Sequence, residues 1–296
     1  MAQPDILCIG AVLWDVIGRA TRVMQLSNDV PGRITRLPGG VAMNIAMTLR
    51  RFGLTPALLT AIGRDPEGDE LLAACARLGL DTSHVYRSED LPTDRYMAIE
   101  GSNGLIAAIA DAHSLEAAGA KILAPLTDGP LGSRDAPYQG TIALDGNLTR
   151  DLLAEIAQSP AFAAADLRIA PASPGKAERL LPLLGVRGAT LYVNLEEAGL
   201  ICAEPFADAE TAAQAMRKRG AARVLVTNGG KPAAMAAPEG ILTACPPEVM
   251  VTRVTGAGDT FMAAHIAAEL DGAAGTDALD RALQAAAAHI SGDAAG

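Results

Sequence analysis

Short apolar runs recur along the whole chain, separated by stretches of helical spacing, and this alternation constrains the fold more than any other feature. DILCIG (5–10), ALLTAIG (57–63), TIALD (141–145), LRIA (167–170), ATLYV (189–193) and RVLVT (223–227) read as buried strands. Between them, Ala42, Ile45, Ala46, Leu49 and Phe52 share one helical face, with Gly53 as the residue after the helix end. A second helix is marked by Asp65 as cap, Pro66 in the first turn, a Leu71, Cys75 and Leu78 stripe and Gly79 at the end. Strands alternating with helices imply an α/β domain, a mostly parallel sheet covered on both faces. Sites in such sheets lie at the carboxyl ends of the strands.

The 296 residues, half of them hydrophobic, supply enough apolar surface for one large domain over 1–296. A formal charge of -10 argues against nucleic acid or an anionic membrane as partner, so any phosphate site must be local. Cys8, Cys75, Cys202 and Cys245 lie far apart with no C-x-x-C pair, which suits reduced thiols. The start, MAQPDILCIG, has no basic region and too short an apolar run for a signal sequence, and no window is apolar enough to span a bilayer. A soluble, cytoplasmic protein is expected.

Two stretches, at about 16–37 and 92–111, interrupt the alternation. The second contains RYMAIEGSNGLIAAIAD, two strand-like runs around a Ser-Asn-Gly turn, which is a hairpin pattern. Inserted strands of this kind either form a lid over a site or extend an edge of the main sheet.

Chemistry is concentrated in two glycine-containing turns. In TGAGDTF (255–261), Gly256 and Gly258 leave backbone N–H groups open at the start of a helix, with Met262, Ile266 and Leu270 following at four-residue spacing. Thr255 is a fair cap, and Asp259 suits the helix dipole there without any catalytic role. The same carboxylate beside anion-binding amides is also placed to take a proton from an attacking alcohol, while Gly256, Ala257 and Gly258 hold phosphoryl charge. In PGGVAMNIAMTLRRFG (38–53), Gly39 and Gly40 permit close ligand approach, and Asn44 offers a donor and an acceptor to a hydroxyl-bearing ligand.

Together, in this order and at this separation, the GG-x-x-x-N helix and the TGAGD turn resemble the signatures of the ribokinase-like (PfkB) sugar and nucleoside kinases. The resemblance implies a three-layer α/β/α fold with a mostly parallel central sheet and a small β lid, and ATP with Mg²⁺ in phosphoryl transfer. It implies Asp259 as base and Asp15, Gly39, Gly40 and Asn44 as substrate-binding residues, although the Asn that often stands two residues before that acid is Leu13 here. NLEEAGLI matches the family's N-x-x-E element, so Asn194 and Glu197 are implied at the nucleotide, Glu197 acting on Mg²⁺ through water. VTNGG implicates Thr227 and Gly229 at the nucleotide, with Thr255. Taken singly, Asn194 and Glu197 read as an exposed loop amide and a helix-start acid.

Softer features resemble the pseudouridine kinase branch: Asp111 closing a lid strand, Asn147 just past a core strand, and Pro171, Ser173 and Lys176 before the N-x-x-E strand. They favour transfer to the primary (5′) hydroxyl of a ribosyl compound, pseudouridine first. Their bland readings are a turn residue, a helix cap and a solvated charge. A kinase for ribose, fructose or a related ketose is the rival enzyme; a non-catalytic ligand-binding protein retaining the fold is the rival from another class. Many relatives place an acid two residues before the TGAGD threonine, near a monovalent-cation site. Arg253 stands there, so K⁺ activation is expected to be absent or altered. No His falls at metal-ligand spacing, no G-x-x-x-x-G-K-[ST] is present, and GAVLWD after the first strand is not a dinucleotide fingerprint. A homodimer paired through lid strands is the expected assembly.

Overall fold

Ile6, Leu7, Cys8 and Ile9 are all fully buried, as expected of a strand with protein on both faces. In the computed structural model, which describes residues 4–25, 27–252 and 255–292, this strand is β1 (Ile6–Ile9). It is followed by β2 (Leu13–Arg19), β3 (Arg33–Gly39), α1 (Val41–Arg51), β4 (Pro56–Leu59), β5 (Ala61–Gly63), α2 (Pro66–Arg77), β6 (Tyr86–Ser88), β7 (Arg95–Gly101) and β8 (Gly104–Asp111). Next come α3 (His113–Ala118), α4 (Ala124–Thr127), the short β9 (Asp128–Gly129) and β10 (Gly132–Ser133), β11 (Thr141–Asp145), α5 (Arg150–Gln158) and β12 (Asp166–Ala170). A 3₁₀ segment (Pro174–Leu183) leads to β13 (Thr190–Asn194), α6 (Leu195–Cys202), α7 (Ala209–Lys218), β14 (Arg223–Asn228), β15 (Lys231–Ala237), β16 (Gly240–Ala244), α8 (Ala257–Leu270) and α9 (Thr276–Ser291).

Eight strands form the central sheet in the order β16-β15-β14-β13-β12-β11-β1-β4. The pairs from β4 through β14 are parallel, and β15 and β16 close one edge antiparallel. Strand side chains alternate between two cores. Leu7, Ile9, Ile142, Leu144, Leu191 and Val226 pack toward α5, α6 and α7. Ile6, Cys8, Leu58, Tyr192 and Leu225 pack toward α1, α2, α8 and α9. Truncating a side chain buried as fully as Leu59 to Ala removes about 2–5 kcal/mol of stability.

The two interruptions become a separate four-stranded sheet, ordered β3-β2-β7-β8, so the SNG hairpin belongs to a lid sheet and does not extend the main one. Ile34, Met97 and Ile109 of the lid are exposed. Trp14 anchors its base, donating from Nε1 to the Glu67 carbonyl at 3.0 Å, with the Arg36 guanidinium 4.3 Å over its ring.

Several expectations need correction. ALLTAIG is two strands rather than one. The chain changes partners at the buried Thr60, whose carbonyl accepts from the Tyr86 amide, so β4 pairs with β1 and β5 with β6. Phe52 and Leu78 are exposed, 50% and 42%, because α1 and α2 end one residue earlier and the helical spacing no longer aims them inward. Leu270, at 48% exposure in the last turn, likewise leaves the core stripe; α8 is instead buried on every side from Thr260 to Ala268. Asp65 caps α2 as expected, accepting from the Gly68 amide at 2.7 Å.

Candidate active site

The candidate residues lie within β2, at the carboxyl ends of β3, β8, β11, β13 and β14, and at the amino ends of α1, α6 and α8. α8 starts at Gly256, whose left-handed φ of 81° suits glycine and leaves the cap position without a side chain. Thr255 is therefore not the cap: it is exposed, and its carbonyl lies 2.9 Å from His289 Nε2. Among the described residues no side chain bonds to the first amides of α8, so the N–H groups at Ala257 and Gly258 stay open to an anion.

Asp259 occupies the third helical position, and Asn44 of α1 donates from Nδ2 to its Oδ2 at 2.9 Å. This single bond ties two segments 215 residues apart. Asp259 is half-buried, but protein surrounds it closely enough that burial pushes its carboxyl up to about 7. The Asn44 bond draws it down, and the charges of Asp145, Asp15 and Glu197 push it further up.

Asp15 stands within β2, the strand that follows β1. Gly39 pairs with neighbouring Leu13, and a Cβ on Gly39 would fall inside the Asp15 carboxyl, so glycine is required for this close approach. Burial raises Asp15 to about 6. Gly40 sits against the Ala11 carbonyl, which also accepts from the Met43 amide. Asp15, Gly39, Gly40, Asn44 and Asp259 are thus joined by direct contacts across β2, β3, α1 and α8.

Asn194 and Glu197 form a reciprocal capping box on α6, with bonds of 2.9 Å and 2.8 Å. Glu197 is not exposed: it is 7% accessible, and burial raises its carboxyl to about 7. Asn194, Thr227 and Gly229 line one cavity of about 820 Å³ together with Leu195, Leu200 and Phe206. Thr255 and Asp259 are outside that lining.

The remaining candidates divide. Asp111, the last residue of β8, is exposed and bonds His113 Nδ1 at 2.8 Å. Asn147 is buried; its Nδ2 reaches both carboxyl oxygens of Asp145, at 3.0 and 3.1 Å, and its Oδ1 accepts from Lys176 Nζ at 2.6 Å. Arg253 lies outside the described residues. Sequence reasoning missed Asp145, which ends TIALD as an ordinary strand terminus; the signal was present only in D-x-N, an acid and an amide spaced for mutual bonding.

At the other end of α8, Glu269 accepts from Arg223 Nη1 and Nη2, both at 2.7 Å, and from Arg168, which also bonds Asp166. Tyr192 hydroxyl lies 3.1 Å from Arg168 and 2.9 Å from His265 Nδ1. Burial would raise the Glu269 carboxyl, but the arginines hold it down at about 2.

The sequence profile of the pfkB family carbohydrate kinases matches residues 3–295, and the chain belongs to that family. Pseudouridine kinase of Escherichia coli (strain K12) is 27% identical over 282 residues, 92% of this chain and 86% of that protein. Pseudouridine kinase of Arabidopsis thaliana is 31% identical over 100 residues, 34% of this chain and only 26% of the length of that protein. Among solved structures, ribokinase from Thermotoga maritima superposes with a TM-score of 0.78 at 20% identity, over 98% of this chain and 93% of that one, which establishes the ribokinase-like fold. Among the described residues no helix is long and apolar enough to cross a membrane.

Proposed function

We propose that this carbohydrate kinase transfers the γ-phosphoryl group of ATP to the primary (5′) hydroxyl of a ribosyl compound, with pseudouridine as acceptor. The observation that carries the reading is Asp259: a carboxyl raised to about 7, bonded to Asn44, in the first turn of a helix whose leading amides are open. A base poised near neutrality suits proton removal from an alcohol. Asp15, Asn44 and the Gly39–Gly40 backbone hold ribose hydroxyls. As the hydroxyl attacks, Asp259 accepts its proton, and the amides of Gly256, Ala257 and Gly258 stabilise charge on the transferring group. ATP lies along the cavity of Asn194, Thr227 and Gly229.

Mg²⁺ fits beside Glu197. Burial raises this carboxyl, and a nearby cation would relieve it. Among the described residues no three His, Cys, Asp or Glu converge as a direct metal site, which suits an ion carried by phosphates and water. When bound, the ion neutralises phosphate charge. The pseudouridine assignment is supported by the Escherichia coli relative and by the Asn147 and Lys176 pair.

A panel of pseudouridine, uridine, ribose and fructose with ATP, read by ADP release and product mass, tests the reading. Phosphorylated pseudouridine formed at the highest kcat/KM is expected. Preference for ribose or fructose would replace the acceptor, and transfer to none would overturn the catalytic reading.

A further inference from the structure

The central sheet changes direction between β1 and β11: the chain runs from β1 outward to β4, then returns to the other side of β1 to add β11, β12, β13 and β14. Ligands of doubly wound sheets bind in the crevice opened at such a reversal. Asp145 stands at that place, at the carboxyl end of β11 beside Gly10, the residue after β1, and is fully buried. The backbones are so close that a Cβ on Gly10 would overlap the Asp145 side chain.

This carboxylate makes no direct ion pair among the described residues. Its oxygens accept from the Ala11 amide at 2.8 Å, the Asn147 amide at 2.8 Å and Asn147 Nδ2 at 3.0 and 3.1 Å. Lys176 approaches only through Asn147, donating to its Oδ1 at 2.6 Å. Backbone and amide N–H groups converge on the Asp145 oxygens, which accept from them, and an ammonium only donates. The Asn147 amide between them therefore has one allowed orientation, nitrogen toward Asp145 and oxygen toward Lys176. On the other side, Ala11 leads through its carbonyl to the Met43 amide at the start of α1, the helix that carries Asn44.

We propose that Asp145 and Lys176 are positioning residues for the acceptor substrate: together they set the orientation of the Asn147 amide, and Asp145 also holds the Ala11 segment against the Asn44 helix. The proposal rests on the transfer reading given above. It assigns to this cluster the discrimination between a ribosyl compound bearing a polar base and a bare sugar, because a fixed amide end rejects an acceptor that cannot match it.

Burial raises the Asp145 carboxyl as it raises that of the proposed base, and the two bear on one another. The groups bearing on Asp259 come from several elements: Asn44 from α1, Asp145 from β11, Asp15 from β2 and Glu197 from α6, with His289 of α9 against the adjacent Thr255 carbonyl.

The test uses the full chain with ATP, Mg²⁺ and pseudouridine, comparing wild type with Lys176→Met, Lys176→Arg and Asp145→Asn. Lys176→Met should raise acceptor KM about tenfold, the scale of one lost charge-assisted hydrogen bond. Its kcat and its KM for ATP should stay near wild type, and Lys176→Arg should recover part of the loss. Asp145→Asn, if its melting curve shows it folded, should raise acceptor KM by a similar factor, because its own amide can turn a donor toward Asn147. An unchanged acceptor KM in Lys176→Met, or in folded Asp145→Asn, overturns the proposal while leaving the kinase reading intact. If Asp145→Asn does not fold, Lys176→Met decides alone. A wild type that phosphorylates no member of the acceptor panel overturns the kinase reading and this proposal with it.

Discussion

Helix α8 carries a carboxylate near each end, and the two sit in opposite electrostatic surroundings. Near its start, Asp259 is pushed up to about 7 by burial and by neighbouring acids, with one amide donor to offset them. In its last turn, Glu269 is held at about 2 by two guanidiniums that approach from β12 and β14. Both lie on one element between the same layers, so burial alone does not explain the difference. The Glu269 end is arranged to keep a charge; the Asp259 end is arranged to let a proton come and go. On the proposed transfer reading this division is useful: compensated charges fix the helix, and the uncompensated acid is left free to act as base.

The largest effect that separates the ends should come from Glu269→Gln. Arg168 and Arg223 would lose a buried partner, and chemical denaturation should show a loss of about 3 kcal/mol, with kcat of the folded fraction close to wild type. A fall in kcat as large as the fall in stability would erase the distinction. The wild-type protein should also show opposite pH windows. Glu269, ordinarily near 4.5 and lowered in the folded chain, stabilises fully above 4.5, and that contribution disappears as pH falls toward about 2. Asp259, ordinarily near 3.8 and raised in the folded chain, must be ionised to act as base. The kcat/KM profile should therefore rise with pH up to about 7, with a slope of about tenfold per unit below it. A profile flat from pH 5 to 8 would remove Asp259 from that role.

A smaller effect should appear in the stability of Asp259→Asn. A carboxyl raised above 3.8 holds its proton better in the folded chain, so ionising it costs stability as pH climbs from about 4 to about 7. Asparagine removes that cost. Part of it is already screened at a half-buried site, so the melting temperature should rise by only a few degrees at pH 8, at about 2–4 °C per kcal/mol, and by nothing at pH 4. Stabilisation at both pH values would point to packing rather than charge.

The layered fold was legible because it is written in local periodicity. Buried strands such as ILCI and TIALD, the Asp65 cap and the SNG hairpin depend on residues a few positions apart. The two glycine turns were legible for the same reason. Helix ends were not, since nothing in the spacing of Phe52 or Leu78 tells where the backbone stops turning. Asp145 and Arg168 escaped notice because their surroundings are assembled from distant segments: Ala11 lies 134 residues from Asp145, and Glu269 lies 101 from Arg168. A charge in a strand reads as a surface residue until the partner that permits its burial is known. Glu197 is the intermediate case. Its capping box is local, but its burial and raised carboxyl depend on the packing of α6 against its neighbours.

On the proposed reading Asp259 is the base, and α8 holds it ready without relying on it for stability. Turnover of Asp259→Asn, measured with saturating ATP, Mg²⁺ and the preferred acceptor at pH 8, tests this most directly. A loss of kcat of about 10² or more, with acceptor binding retained and the melting temperature at or above wild type, is predicted. Near-normal turnover in that folded variant would contradict the account.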